Sequence, residues 1–162
     1  MAEHGGDVAG PGGAASGPEG GDGGPVTIIV DGANVVGSRP DGWWRDRAGA
    51  AVRLHDSLAG LAARGPASIV LVLEGAAKAA VPRIAAQAGT GDQAGARRPA
   101  GTVQVVAAPG SGDDEIVRLA GSLPGRRIVV TADRELRSRS VAAGAEVAGP
   151  SWLRDQTGPG PR

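Results

Sequence analysis

The sequence predicts an α/β protein built as a three-layer sandwich, with helices on both sides of a mainly parallel sheet of five strands. Three observations predict it. Short runs of Val, Ile and Leu recur along the chain from Val26 onward, and runs that are apolar on both faces belong to strands covered from both sides. Helix-like segments separate most of these runs, as crossovers between parallel strands require. Three of the runs lead into aspartate, at Asp31, at Asp113 and Asp114, and at Asp133. A carboxylate there sits at the carboxyl end of its strand, where open parallel sheets keep their chemistry, so the four are expected to converge in one cleft.

Residues 1–25 contain ten Gly and three Pro, and the segment has no Lys or Arg. Such a stretch cannot bury enough apolar surface to offset the entropy of ordering it, so it reads as a disordered tail. It lacks the basic start and apolar run of a secretory signal, and no window is long and apolar enough to span a bilayer. A cytoplasmic protein with no membrane partner is expected. Glu3, Asp7, Glu19 and Asp22 make the tail acidic. All 17 Lys and Arg then fall in residues 26–162 against 13 Asp and Glu, leaving that part four charges positive although the whole chain is neutral. A mildly basic domain around an acidic cleft is compatible with a polyanionic partner. Cysteine is absent and the only histidines are His4 and His55, which excludes disulfides, thiolate zinc sites, cysteine nucleophiles and histidine-rich metal sites.

The ordered domain is expected over 26–155, with 156–162 a flexible C-terminus. Its first strand is VTIIV from Val26, followed by a helix from Trp43 to Arg64. Strands SIVLVL and VQVVAA come next, joined by AAQAGTGDQAGARRPAG, a Gly-rich passage with no clean period that reads as a long surface loop carrying Arg97 and Arg98. A helix from about Asp114, the strand RIVVTA, a further helix RELRSRSVAA and a last strand AEVAG complete the order. The core must be Val, Ile, Leu and Ala, since Phe and Tyr are absent. Gly49, Gly60 and Gly121 each lower helix propensity by roughly 1 kcal/mol. Trp44 shares a helical register with Ala48, Val52, His55 and Leu58 and is expected in the core. Trp152 is expected to pack near the last strand.

Four motifs, in this order, carry a resemblance: DGANVVGS from Asp31 to Ser38, GDDE from Gly112 to Glu115 followed by IVRLA, VVTADRELR from Val129 to Arg137, and the closing GAEVAGPSWL. Over about residues 26 to 154 the chain resembles the NYN domain, a branch of the PIN-like nuclease superfamily, and within it the YacP-like group of bacterial proteins. The resemblance implies a Rossmann-like sheet in the order 3-2-1-4-5, dependence on Mg²⁺ or Mn²⁺, and ribonuclease activity on RNA, with ribosome association among the possible settings. It also implies that Asn34 supports Asp31 or contacts the scissile phosphate.

The chemistry accounts for such an acid set without a family name. Phosphodiester hydrolysis needs an activated water and stabilised charge on phosphorus, and carboxylate-held divalent ions supply both. Asp31 and Asp133 are the expected central ligands, with Asp113, Asp114 or both completing the set. Asp31, Asp114, Asp133 and Asn34 are the expected catalytic residues. Where PIN nucleases carry an acid on the helix after the first strand, only Asp41, Asp46 and Asp56 are available, so Glu74 at the end of SIVLVL is the expected fourth acid. RNA contacts are expected from Arg39, Trp43, Arg97, Arg98, Arg134 and Arg137.

Each residue also has a structural reading. Ser111 and Asp114 match a capping-box spacing, Asp133 precedes a helix as an N-cap, Asp31 starts an Asp-Gly turn, and Glu74 can pair with Lys78. Thr131 either supports Asp133 or simply favours a strand. A haloacid-dehalogenase phosphatase would need an Asp where Ala33 stands, and GANVVG lacks the GxGxxG of dinucleotide binders. The remaining alternative is a non-catalytic RNA- or ribosome-binding adapter.

Overall fold

The computed structural model of the chain describes residues 26–38, 42–88 and 101–157. The expected acidic tail, Arg39, Asp41, Arg97, Arg98 and residues 158–162 lie outside the described residues. Five strands form one sheet: β1 (Val26–Asp31), β2 (Ser68–Leu73), β3 (Val103–Ala107), β4 (Arg126–Val130) and β5 (Glu146–Ala148). All pair in parallel, in the order β3-β2-β1-β4-β5. Among the described residues six α-helices accompany them: α1 (Gly32–Gly37), α2 (Arg47–Arg64), α3 (Ala80–Ala88), α4 (Gly112–Ser122), α5 (Arg134–Ala142) and α6 (Pro150–Thr157). This is the predicted three-layer α/β sandwich. None of the described helices is long and apolar enough to cross a membrane.

Side chains alternate across the sheet with the period of two that strands impose. Ile28, Val30, Ile69, Leu71 and Leu73 face one side and pack with Leu54, Leu58, Ile84 and Leu153. Ile29, Val70, Val72 and Val129 face the other and pack with Ile116, Leu119 and Leu136. Both faces are thus dry, which is why the strands read as unbroken apolar runs. Gly32 is required at the join of β1 and α1, because a Cβ there would meet the Val72 carbonyl oxygen at 2.7 Å and Leu73 Cδ2 at 2.9 Å. The side-chain-free residue lets α1 leave the strand against β2.

Three expectations need correction. The stretch between β2 and β3 is not all loop, because α3 covers Ala80–Ala88 and its Val81 and Ile84 reach the core. Pro82 sits in its first turn, where the helix asks for no backbone donor. The helix expected from Trp43 begins instead at Arg47: Trp43–Arg45 is a 3₁₀ turn, and Asp46 caps α2 by accepting from the Gly49 N–H at 2.8 Å. That break swings Trp44 out of register, and it is 56% exposed rather than buried. At the far end α6 runs from Pro150 to Thr157, with Leu153 buried and Trp152 packed against the core as expected.

Candidate active site at the carboxyl end of the sheet

The chain winds from β1 outward to β2 and β3, then returns past β1 to β4 and β5. The reversal opens a crevice beyond the ends of β1 and β4, where open α/β sheets bind ligands. Asp31 is the last residue of β1 and lies in that crevice only 8% exposed. Its Oδ2 accepts from the Thr131 hydroxyl at 3.0 Å, and its Oδ1 from the Asn34 N–H at 3.3 Å, so it also caps α1. Burial pushes the Asp31 carboxyl up from 3.8 to about 6. The Asn34 and Thr131 hydrogen bonds oppose that rise, and the charges of Asp113 and Glu74 add to it.

Thr131, fully buried just past β4, ties two acids together: it donates to Asp31 and accepts from the Asp133 N–H at 3.1 Å. Asp133 caps α5, its Oδ1 accepting from the Leu136 N–H at 2.9 Å. Capping engages that oxygen. Asn34 acts differently from expectation. Its backbone, not its amide, touches Asp31, while its Oδ1 accepts from the Ala132 N–H at 2.8 Å and locks the turn after β4 to the start of α1.

The adjacent acids at the start of α4 separate cleanly. Ser111 caps the helix by accepting from the Asp114 N–H at 3.1 Å. Asp113 is partly buried and its carboxyl is raised by burial, then by the charges of Asp133 and Glu74, with Arg139 pulling the other way and Glu135 adding to the rise. Asp114 turns outward, its side chain 73% exposed, and its Oδ1 accepts from Arg139 Nη2 at 2.7 Å. Asp113 rather than Asp114 is therefore the acid turned toward Asp133 and Glu74, because neighbouring helical residues point about 100° apart.

Glu74, following β2, accepts from the Gly112 N–H at 2.6 Å through Oε2. A Cβ at Gly112 would lie 2.9 Å from that oxygen, so the glycine admits the carboxylate to the start of α4. Lys78 does not pair with Glu74; its Nζ donates to the Ala108 carbonyl at 3.1 Å. Asp46 and Asp56 are away from this set, one capping α2 and the other 3.6 Å from His55. Asp31, Glu74, Asp113 and Asp133 thus form one electrostatically coupled cluster. Among the described residues, no group of three or more His, Asp or Glu side chains stands close enough to clasp a metal ion.

Of the expected RNA contacts, Arg134 is exposed and Arg137 half-buried on α5, next to Asp133. Trp43 is half-buried, its ring edge-on to Trp44 at 6.3 Å between centroids. Sequence reasoning missed Glu135 and Arg139 as charges acting on Asp113. The signal available for them was their place on the helix that follows Asp133.

No protein-family model matches the chain, and no curated protein matches it. Among solved structures the chain is similar to the crystal structure of Rae1 (YacP) from Bacillus subtilis, with a TM-score of 0.60 and 18% sequence identity. The match covers 81% of this chain and 74% of that one. The likeness is one of fold, and it shows an α/β architecture like that of Rae1 (YacP).

Proposed function

We propose that the protein is a metal-dependent ribonuclease of the NYN, YacP-like kind, hydrolysing RNA phosphodiester bonds at the Asp31, Glu74, Asp113 and Asp133 cluster. The observation that carries this reading is the set of four carboxylates beyond β1, β2 and β4 and at the start of α4, with Asp31 and Asp113 both pushed upward by burial and by neighbouring acids. Mutual repulsion of that kind is relieved by a cation. The all-oxygen donor set suits Mg²⁺ or Mn²⁺, and a Mg²⁺ ion that keeps much of its water shell needs only one or two direct carboxylates, so an open cluster fits it.

Asp31 and Asp113 would hold the ion, with Glu74 and Asp133 joining through their remaining oxygens. The ion would supply an activated water and neutralise charge on the phosphate. The chain's own part is positioning. Thr131 fixes Asp31 and Asp133 relative to each other, and Asn34 keeps the turn after β4 against α1. Arg134 and Arg137 follow Asp133 on α5 with side chains that make no ion pair among the described residues, and guanidinium groups suit phosphate oxygens. RNA in the cytoplasm, free or on the ribosome, is the proposed substrate.

The test is incubation of the purified protein with unpaired and structured RNAs in Mn²⁺, Mg²⁺ or EDTA, beside Asp31→Asn. Metal-dependent cleavage lost in the variant supports the nuclease. A second reading, the non-catalytic RNA- or ribosome-binding adapter, is favoured by the absence of a closed ligand triad among the described residues. RNA binding without cleavage in any metal would establish it instead.

A further inference from the structure

Trp44 is exposed without structural need, and its surroundings are chemically specific. It and Val141 are the exposed large hydrophobic residues among those described, and Trp44 is 56% exposed even with Arg45 beside it. The Arg45 guanidinium lies 5.9 Å from the Trp44 ring centroid, and that of Arg47 lies 5.4 Å from the Trp43 ring. Neither arginine makes an ion pair among the described residues. Trp43 is braced from behind by α1, its ring 3.6 Å from where a Gly37 Cβ would lie. The T-shaped pair therefore presents an indole on a fixed support, rimmed by two unpaired positive charges.

The position matters as much as the chemistry. Helix α1 has Asp31 as its N-cap and ends against Trp43, so its six residues, about 9 Å of axis, link the acidic cleft to the indole pair. We propose that Trp44, with Arg45 and Arg47, is a subsite that stacks an unpaired base of the RNA strand whose backbone crosses the cleft. This rests on the nuclease reading and narrows its substrate class to single-stranded RNA. An indole takes any base on its face, and the arginines contribute cation–π and phosphate contacts. A paired base in an A-form helix keeps its faces stacked on its neighbours and offers none to the indole.

Fluorescence tests this directly, since the chain has three Trp and no Tyr. In a Trp152→Phe background only Trp43 and Trp44 report. The probe is a single-stranded 2′-O-methyl oligonucleotide in EDTA, compared with its duplex and with an abasic strand of the same length. The single strand should quench the signal and bind best, and Trp44→Ala should weaken it about tenfold or more, with Trp44→Phe restoring part. Equal binding of duplex or abasic strand, no binding, or an unaltered Trp44→Ala overturns the subsite and leaves the patch to a protein partner. Quenching through Trp44 by a protein that never cleaves RNA keeps the subsite and sinks the nuclease. Cleavage with no Trp44 effect does the reverse.

Discussion

Replacing Asp31 by Asn is expected to remove cleavage and stabilise the fold, and the gain should depend on pH. Burial lifts the Asp31 carboxyl from 3.8 to about 6, so the folded chain holds this proton more tightly than the unfolded chain does. Below about pH 4 both states are protonated and the site costs nothing. As pH rises toward 6 the unfolded chain loses the proton first and stability falls; above about pH 6 the whole penalty is present. At about 1.4 kcal/mol per pH unit, the penalty is on the order of 3 kcal/mol. Asparagine cannot ionise, and it gives up the charged acceptor for the Thr131 hydroxyl, a loss of about 1 kcal/mol. The net gain is therefore roughly 2 kcal/mol at pH 8, shrinking to zero or reversing at pH 4. Urea unfolding in EDTA, followed by tryptophan fluorescence at pH 4, 6 and 8, measures it. A variant no more stable than the parent at pH 8, or a difference that ignores pH, would refute the reasoning.

Other perturbations address the supports. Thr131→Val removes the donor to Asp31 and strands the part-buried Asp133 N–H, and should cost about 1 to 3 kcal/mol in thermal unfolding while raising Asp31 further by carboxyl-carbon NMR. Gly32→Ala drives a methyl into the Val72 carbonyl and Leu73, and should destabilise by roughly 1 to 3 kcal/mol in the same melts. Asp113→Asn should lower RNA cleavage about a hundredfold or more, whereas Asp114→Asn, which only releases Arg139, should leave the rate close to the parent's.

Much of the frame was legible because burial on both faces leaves an unmistakable mark. VTIIV, SIVLVL and RIVV carry no charged interruption where they are covered by helices. The acids were legible by position, since each follows such a run. Which of Asp113 and Asp114 turns inward was not, because that depends on the residue at which α4 starts, fixed by the Ser111 cap. Trp44 was misplaced for a related reason: extending the α2 register backward ignored the Asp46 cap, which ends the helix before the tryptophans. Helix α3 was hidden by Pro82 and the Gly-rich run after it, and only the parallel pairing of β2 with β3 demands a crossover there.

Titration of ¹⁵N-labelled protein with Mn²⁺ tests the central claim most directly, since a bound paramagnetic ion broadens the amides nearest to it. The account predicts early, saturable loss of the signals of Asp31, Gly32, Glu74, Asp113 and Asp133, absent in Asp31→Asn and reversed by EDTA. Broadening centred on Asp114 and Arg139, spread evenly over the surface, or absent altogether would contradict it.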